Sequence, residues 1–315
     1  MRRRLPADAV VFLAFFLFMN HDIPESTQTR PSAPRTAARQ CAPTPRLELE
    51  RSVRFGLHEP SPTAISANSF AANPILSGLV PFVDFAVRIR GAVDESTGML
   101  INIRAIDQAV RAVAAPQLLA YYHRQRGAGA TPETSPAGLL PGLARDLARD
   151  FNPHEIVQLT LSLSPYLRLQ SRPRELPMVC IVQSFEFSAA HRLYSPALSD
   201  AQNAAVFGKC TNPNGHGHNY QLDVAVSGPP DAVTGVVIPI HALQEIVNRE
   251  IISAYDHKHL NLDCPDFAEL NPTVENIARV IFNKLQHAFP PPITLASVRV
   301  WETPKTWCQC SAAEL

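Results

Sequence analysis

The chain lacks a net charge of either sign. Lys plus Arg and Asp plus Glu number 28 each in 315 residues. No basic excess is present to meet nucleic-acid phosphates, and there is no acidic tail. Charged residues are only 18% against 46% apolar ones, which permits a globular core and argues against global disorder. Cysteine is scarce: six in this length do not make a disulfide scaffold. Cys308 and Cys310 are one residue apart, without the two-residue gap of a redox or zinc-knuckle pair, so reduced thiols are the simpler reading. Long apolar runs are missing as well. The run Ala9 to Met19 has eleven residues, too short for a comfortable transmembrane helix.

That run follows three arginines, Arg2 to Arg4. A basic stretch before a short apolar one reads as a secretory signal, yet no clear cleavage site follows. The competing reading is a start assigned too far upstream. What comes next, "HDIPESTQTRPSAPRTAARQCAPTPR", is rich in Pro, Ser, Thr and Arg and has no apolar period. Residues 1–45 are therefore expected to be a leader or disordered tail. Nothing in the rest of the chain demands export, so the folded part is expected in the cytoplasm, away from membranes.

The length suits about two domains of roughly 150 residues, and an internal repeat supplies them. "VDFAVRIRGAVDESTGMLINIRAI" (Val83 to Ile106) matches "YQLDVAVSGPPDAVTGVVIPIHAL" (Tyr220 to Leu243) at a constant offset of 137, pairing Gly91 with Gly228, Asp94 with Asp231 and Gly98 with Gly235. Both read as strand, turn, strand. In each copy a strand precedes this hairpin. Two helical patterns and an alternating strand follow it: "IVQLTLSLSP" in the first, "LASVRVWETP" in the second. The expectation is an α+β unit written twice, residues 46–172 and 178–315, each an antiparallel sheet with two helices on one face.

The polar chemistry belongs to the second copy. His216 and His218 alternate at the start of "NYQLDVAV", so on a strand both rings share one face and offer two ligands to zinc. His191, in "FSAAHRL" after another strand, is the natural third. Three histidines leave an open fourth position, the pattern of a catalytic zinc. A solvated His-Gly-His turn is the competing reading. Cys210, six residues before His216, can be a fourth ligand, a small buried hydrophobe or a reactive thiol; inertness is the plainer reading of the residue alone. Asp256-His257 is either an acid/base pair or, with Lys258 and His259, the cationic end of a helix. Adjacent side chains usually point apart, so Asp256 need not touch His257. Thr273 reads as the N-cap of "VENIARVIF", with Glu275 in its first turn. Glu302 ends an alternating strand, where a carboxylate can accept two hydrogen bonds from an aminopyrimidinone edge or simply face solvent. Leu79, Pro81, Tyr122, Leu163 and approximately Leu139 stand opposite His216, His218, Asp256, Glu302 and Glu275. His58 falls one residue out of register with His191.

"FSAAHRL", "FGKCTNPNGHGHNY", "DHKHLNLD", "PTVEN" and "VWETP" occur in that order. Together they resemble the 6-pyruvoyl-tetrahydropterin synthase family, including its 6-carboxy-tetrahydropterin synthase branch in queuosine biosynthesis, over nearly all of Val179 to Gln309. The resemblance implies a tunnelling fold assembled around a shared barrel. It implies zinc on His191, His216 and His218, a proton-abstracting Cys210, the pair Asp256 and His257, a pterin-anchoring Glu302, and Thr273 and Glu275 near the pterin. The implied substrate is 7,8-dihydroneopterin triphosphate. The implied enzyme is a lyase giving the 6-carboxy product, with the 6-pyruvoyl product as the alternative. A non-catalytic pterin-binding or assembly protein is the reading from another class. A trimer of two-module chains is expected, the silent first module covering sheet edges that would otherwise stay open. In "GVVIPIHAL" Pro239 is placed at a strand edge or end, because it removes a backbone donor.

Overall fold

Alternating apolar side chains build the sheet. A computed structural model describes residues 45–58, 80–127 and 134–312. The expected residues 1–45 lie almost wholly outside these, as does Leu79. The first half runs β1 (Arg46–Gly56), β2 (Phe82–Ala92), α1 (Ile103–Gly127), α2 (Leu140–Asp150), β3 (Glu155–Ser164) and β4 (Leu167–Ser171). The second runs β5 (Val179–His191), α3 (Asp200–Phe207), β6 (His216–Gly228) and α4 (Ile240–Val247). A π-helical turn and α5 (Ser253–Tyr255) extend α4, followed by β7 (Lys258–His259), α6 (Leu260–Asp263), α7 (Val274–Leu285), β8 (Thr294–Thr303) and β9 (Thr306–Ser311).

The described strands form one sheet, ordered β1-β2-β3-β4-β5-β6-β8-β9, with β7 added in parallel to β5. All the other pairings are antiparallel. Val53, Phe55, Phe85, Val87 and Ile89 point to one face and are buried with Ile106 and Val110 of α1 and Leu143 and Leu147 of α2. The other face of β1 and β2 carries the ion pairs Arg88–Glu50 and Arg90–Glu48. A two-residue period with one apolar face and one charged face is what a sheet covered by helices on a single side requires. One core cluster runs through both halves.

The halves repeat in register. Leu47 faces Gly91 as Val179 faces Gly228. The β2–β3 ladder slips between Arg88 and Ile89, and the β6–β8 ladder slips between Ala225 and Val226, at the same offset of 137. The β3–β4 and β8–β9 ladders slip at Ser162/Ser164 and Trp301/Thr303, so Leu163 and Glu302 both occupy bulges. Bulges are specific local features that re-aim a side chain, and here they fall in two matching pairs. The first half thus keeps the backbone device and puts Leu163 where the second puts Glu302.

Four points of the sequence reading need correction. The residues after the Thr-Gly turns do not form a second hairpin strand; the chain enters α1 and α4 directly. The turns themselves are present. The Asp94 and Asp231 carboxylates accept from the backbone N–H of Thr97 and Thr234, and Gly98 and Gly235 take the positive φ that closes each turn. Pro239 accordingly sits just before α4 and not on a strand. Finally, β4 and β9 were not anticipated. They fold back on β3 and β8 after short turns, and β4 then pairs with β5 to join the halves. The core phase of α2 and α7, Leu140, Leu143, Ala144 and Leu147 against Val274, Ile277, Ala278 and Ile281, also shifts the helix match by two residues, bringing Pro141 opposite Glu275.

Candidate metal centre and active site

Three strand ends deliver the cluster. His191 ends β5 and lies opposite His216 at the start of β6, while His218 lies opposite Ala189. Alternation turns both β6 imidazoles to one face, their ring centroids 4.8 Å apart. The bulge at Glu302 brings a carboxylate from β8 to the same point. One ligand atom from each of His191, His216, His218 and Glu302 lies within 4.8 Å of all the others. Nε2 of His191 is 3.1 Å from Nε2 of His216, and Nε2 of His218 is 3.1 Å from Oε1 of Glu302.

These four residues fit a divalent metal. Nδ1 of His191 is 2.7 Å from the Pro272 carbonyl, an acceptor, so Nδ1 carries the proton and Nε2 presents a lone pair to the cluster. Nε2 of His218 is buried beside the Glu302 carboxylate without a well-aligned hydrogen bond to it, an arrangement that leaves its lone pair free for a metal. Imidazole nitrogens with one carboxylate are a donor set suited to zinc. Glu302 stands in this group, so the carboxylate expected at the substrate's edge is also within reach of a metal. Cys210 is not in the group.

His191 is fully buried, and burial pushes its pKa from 6.5 down to about 4. A buried neutral histidine resists folding once it must charge. The unfolded chain takes up this proton near pH 6.5, the folded chain only near pH 4. The stabilisation is therefore complete above pH 6.5 and is lost as pH falls toward 4. The melting temperature of chelator-treated protein is expected to fall across that window, and the His191→Asn variant should lose this part of the slope.

Cys210 sits half-buried in a short turn, Gly208–Thr211. The residues after His191 hold it: the Leu193 N–H donates to the Cys210 carbonyl at 2.9 Å, and Arg192 Nε donates to the Thr211 carbonyl at 2.9 Å. The thiol's turn is thus tied to the segment carrying the first histidine. Asp256 and His257 touch, the arrangement the acid/base reading of the pair allows and adjacency alone does not require. His257 adopts φ 57°, an uncommon conformation for a residue other than glycine, and its Nδ1 lies 2.8 Å from Asp256 Oδ2. The other Asp256 oxygen accepts from the Ser188 N–H at 2.8 Å. These bonds hold the Asp256 carboxyl below the ordinary carboxylate range, the Ser188 bond most of all. His257 is exposed, and with His218, Lys258 and His259 it lines an open cleft of about 530 Å³.

Thr273 caps α7, its hydroxyl accepting from the Asn276 N–H, and Glu275 is exposed in the first turn. Sequence reading missed the supporting residues. Tyr220 is fully buried, stacks on Phe187, and brings its hydroxyl to 3.3 Å from His191 Nδ1. Its signal was present, since His216, His218 and Tyr220 continue one alternation. Asn261 clamps Arg192 through both its N–H and its carbonyl, and nothing local announces that role.

Residues 180–313 match the family model described as 6-pyruvoyl tetrahydropterin synthase. The human 6-pyruvoyl tetrahydrobiopterin synthase is 45% identical over 123 residues, covering 39% of this chain and 84% of the relative. The 6-carboxy-5,6,7,8-tetrahydropterin synthase of Haemophilus influenzae is 32% identical over 152 residues, covering 42% of this chain and 98% of the relative. Among solved structures, the Caenorhabditis elegans 6-pyruvoyl tetrahydropterin synthase aligns with a TM-score of 0.41 and 38% identity, over 43% of this chain and 96% of that one.

Proposed function

The chain belongs to the 6-pyruvoyl tetrahydropterin synthase family, and we propose from that membership that its second module is a zinc-dependent lyase acting on 7,8-dihydroneopterin triphosphate. Its α+β architecture is the tunnelling fold. The observation that carries the reading is the convergence of His191, His216, His218 and Glu302 beside a cysteine turn fixed to the same segment.

In this reading the three histidines hold the metal. Bound there, zinc supplies Lewis-acid polarisation of the substrate's side-chain oxygens. Cys210 acts as the base that takes a proton from the substrate side chain. His257, oriented by the ionised Asp256, returns protons during the tautomer steps. Thr273 and Glu275 border the pterin, and Glu302 accepts from its amino edge. The two modules divide at 46–172 and 178–315, the first a copy that keeps the fold without these ligands. The location is the cytoplasm, because a triphosphate this highly charged does not cross a bilayer unaided. Among the described residues no helix is long and apolar enough to span one.

Two products are compatible with this residue set. The 6-pyruvoyl product, formed with loss of triphosphate, is favoured by the human relative at 45% identity, while the six-residue spacing of Cys210 and His216 suits either product. The 6-carboxy product, formed with release of acetaldehyde on the queuosine route, is the reading the sequence motifs put first. The Haemophilus influenzae relative, matched over 98% of its length, favours it. Mass analysis of products after incubating zinc-loaded protein with dihydroneopterin triphosphate separates them. A 6-pyruvoyl product is the expected result. Acetaldehyde with a 6-carboxy product selects the second reading, and unchanged substrate selects the non-catalytic one.

A further inference from the structure

We propose that Asn261 is a positioning residue for Cys210, acting through Arg192; the proposal rests on Cys210 serving as the base. The segment that holds the cysteine's loop comes from far along the chain. Asp256 and His257 fasten it to β5. One Asp256 oxygen accepts from the Ser188 N–H at 2.8 Å, and the His257 N–H donates to the Ser188 carbonyl at 2.6 Å. Lys258 and His259 then run beside Ala189 and Ala190 as β7. The residues that follow grip the loop Gly208–Gly215, which carries Cys210 and delivers His216.

The grip has two ends. At the first, Asn261 takes both backbone groups of Arg192. Its Oδ1 accepts from the Arg192 N–H at 2.8 Å, and its Nδ2 donates to the Arg192 carbonyl at 3.1 Å. A side-chain amide can do both at once, because it carries a donor and an acceptor side by side. Arg192, so fixed, donates from Nε to the Thr211 carbonyl at 2.9 Å, and the next N–H, that of Leu193, donates to the Cys210 carbonyl at 2.9 Å. The guanidinium also lies 4.2 Å from the centre of the Tyr194 ring, whose hydroxyl donates to Asp200. At the second end, a Cβ added at Gly215 would lie 2.6 Å from His259 Nε2 and 2.8 Å from the His191 carbonyl oxygen. Gly215 has φ 71° as well, so glycine is the residue that suits this approach.

Both ends of the cysteine's loop therefore bear on the segment 256–261. The loop's own bonds, from Thr211 Oγ1 to the Gly208 carbonyl and from the Gly215 N–H to the Asn212 carbonyl, shape it but do not place it. Among the described residues the Asn261 side chain bonds to Arg192 alone, and it is outside the ligand group. Its influence on chemistry runs through the position of the thiol, and a displacement of about 1 Å in a reacting group can cost about 10²-fold in rate.

Asn261→Ala in the zinc-loaded full chain is the test. Its kcat should fall about 10²-fold, with KM within about twofold of the parent and zinc content unchanged, because Thr273, Glu275 and Glu302 lie on other segments. Asn261→Asp keeps an acceptor for the Arg192 N–H and should recover part of the loss. In the Cys210→Ala background, where no thiol is left to place, Asn261→Ala should change the residual turnover by less than about twofold. An equal loss in both backgrounds makes Asn261 merely structural and overturns the proposal. A second readout needs no turnover. Iodoacetamide labelling of Cys210, followed by peptide mass, should run at least about threefold faster in Asn261→Ala, as the half-buried thiol comes free. An unchanged or slower rate overturns the proposal. Faster labelling in a chain that leaves the pterin untouched supports the clamp and removes only the role of base. If Asn261→Ala does not fold, Arg192→Lys, which keeps the charge but loses the Nε donor to Thr211, carries the same comparisons.

Discussion

Cys210→Ala lowers turnover by about 10²–10⁴-fold, the usual contribution of a positioned general base, while zinc content and melting temperature stay close to those of the parent. The two halves of that expectation have separate grounds. Turnover falls because the thiol is the one group on the Gly208–Thr211 turn able to take a proton, and that turn is tied to the residues after His191 by the Leu193 and Arg192 bonds. Zinc stays because Cys210 is outside the group of converging ligand atoms. Stability stays because the Leu193 bond is made to the Cys210 backbone carbonyl, which truncation does not remove. A half-buried side chain with no tertiary bond of its own should cost under about 1 kcal/mol.

The variant therefore discriminates between chemistries as well as sites. Loss of zinc along with turnover makes Cys210 a ligand and the site a structural one. Full turnover with zinc retained moves the base elsewhere, and His257 becomes the first candidate, since it faces the same cleft as His218. Metal analysis and steady-state kinetics on one protein sample settle the matter.

Much of the site was legible because strand alternation is a rigid rule. His216 and His218 had to share a face once "HGHNYQLDVAV" formed a strand, and β6 begins at His216. Glu302 followed Val298 and Val300 to the same side for the same reason. What alternation could not give was the bulge that aims Glu302, because a bulge is a property of two strands in register and not of one. Nor could it give the His257 contact with Asp256, which depends on a left-handed backbone at a residue that rarely adopts it. The missed strands β4 and β9 are short, and "TWCQCS" carries no clean apolar alternation; their partners β3 and β8, with β5 beside β4, supply the hydrogen bonds that make them strands. The hairpins expected after the Thr-Gly turns failed for a related reason. The turn chemistry was correct, but Ile106 of "MLINIRAI" and Val237, Ile238 and Leu243 of "VVIPIHAL" are buried at or beside a helix start, where tertiary packing overrides strand propensity.

His191→Ala is expected to have the largest effect on the folded state and to abolish zinc binding with it. The imidazole is fully buried, so its removal leaves a cavity. It also strips the Pro272 carbonyl of its donor. Buried truncations of this size cost about 2–5 kcal/mol, and the orphaned carbonyl adds to that. Pro272 leads into α7, so the loss extends to the Thr273 cap and the start of the helix. His218→Ala makes the controlled comparison. Its side chain is 17% exposed and gives up only the poorly aligned contact of Nε2 with Glu302, so it should forfeit zinc while costing the metal-free fold much less. Melting each protein with zinc and with a chelator separates the two quantities. The parent should lose stability on chelation, since a ligand that binds only the folded state stabilises by mass action. Both variants should melt at one temperature under either condition, with His191→Ala well below His218→Ala. If the two chelated variants melt together, His191 is no more than a ligand, and the Pro272 bond is incidental to the fold.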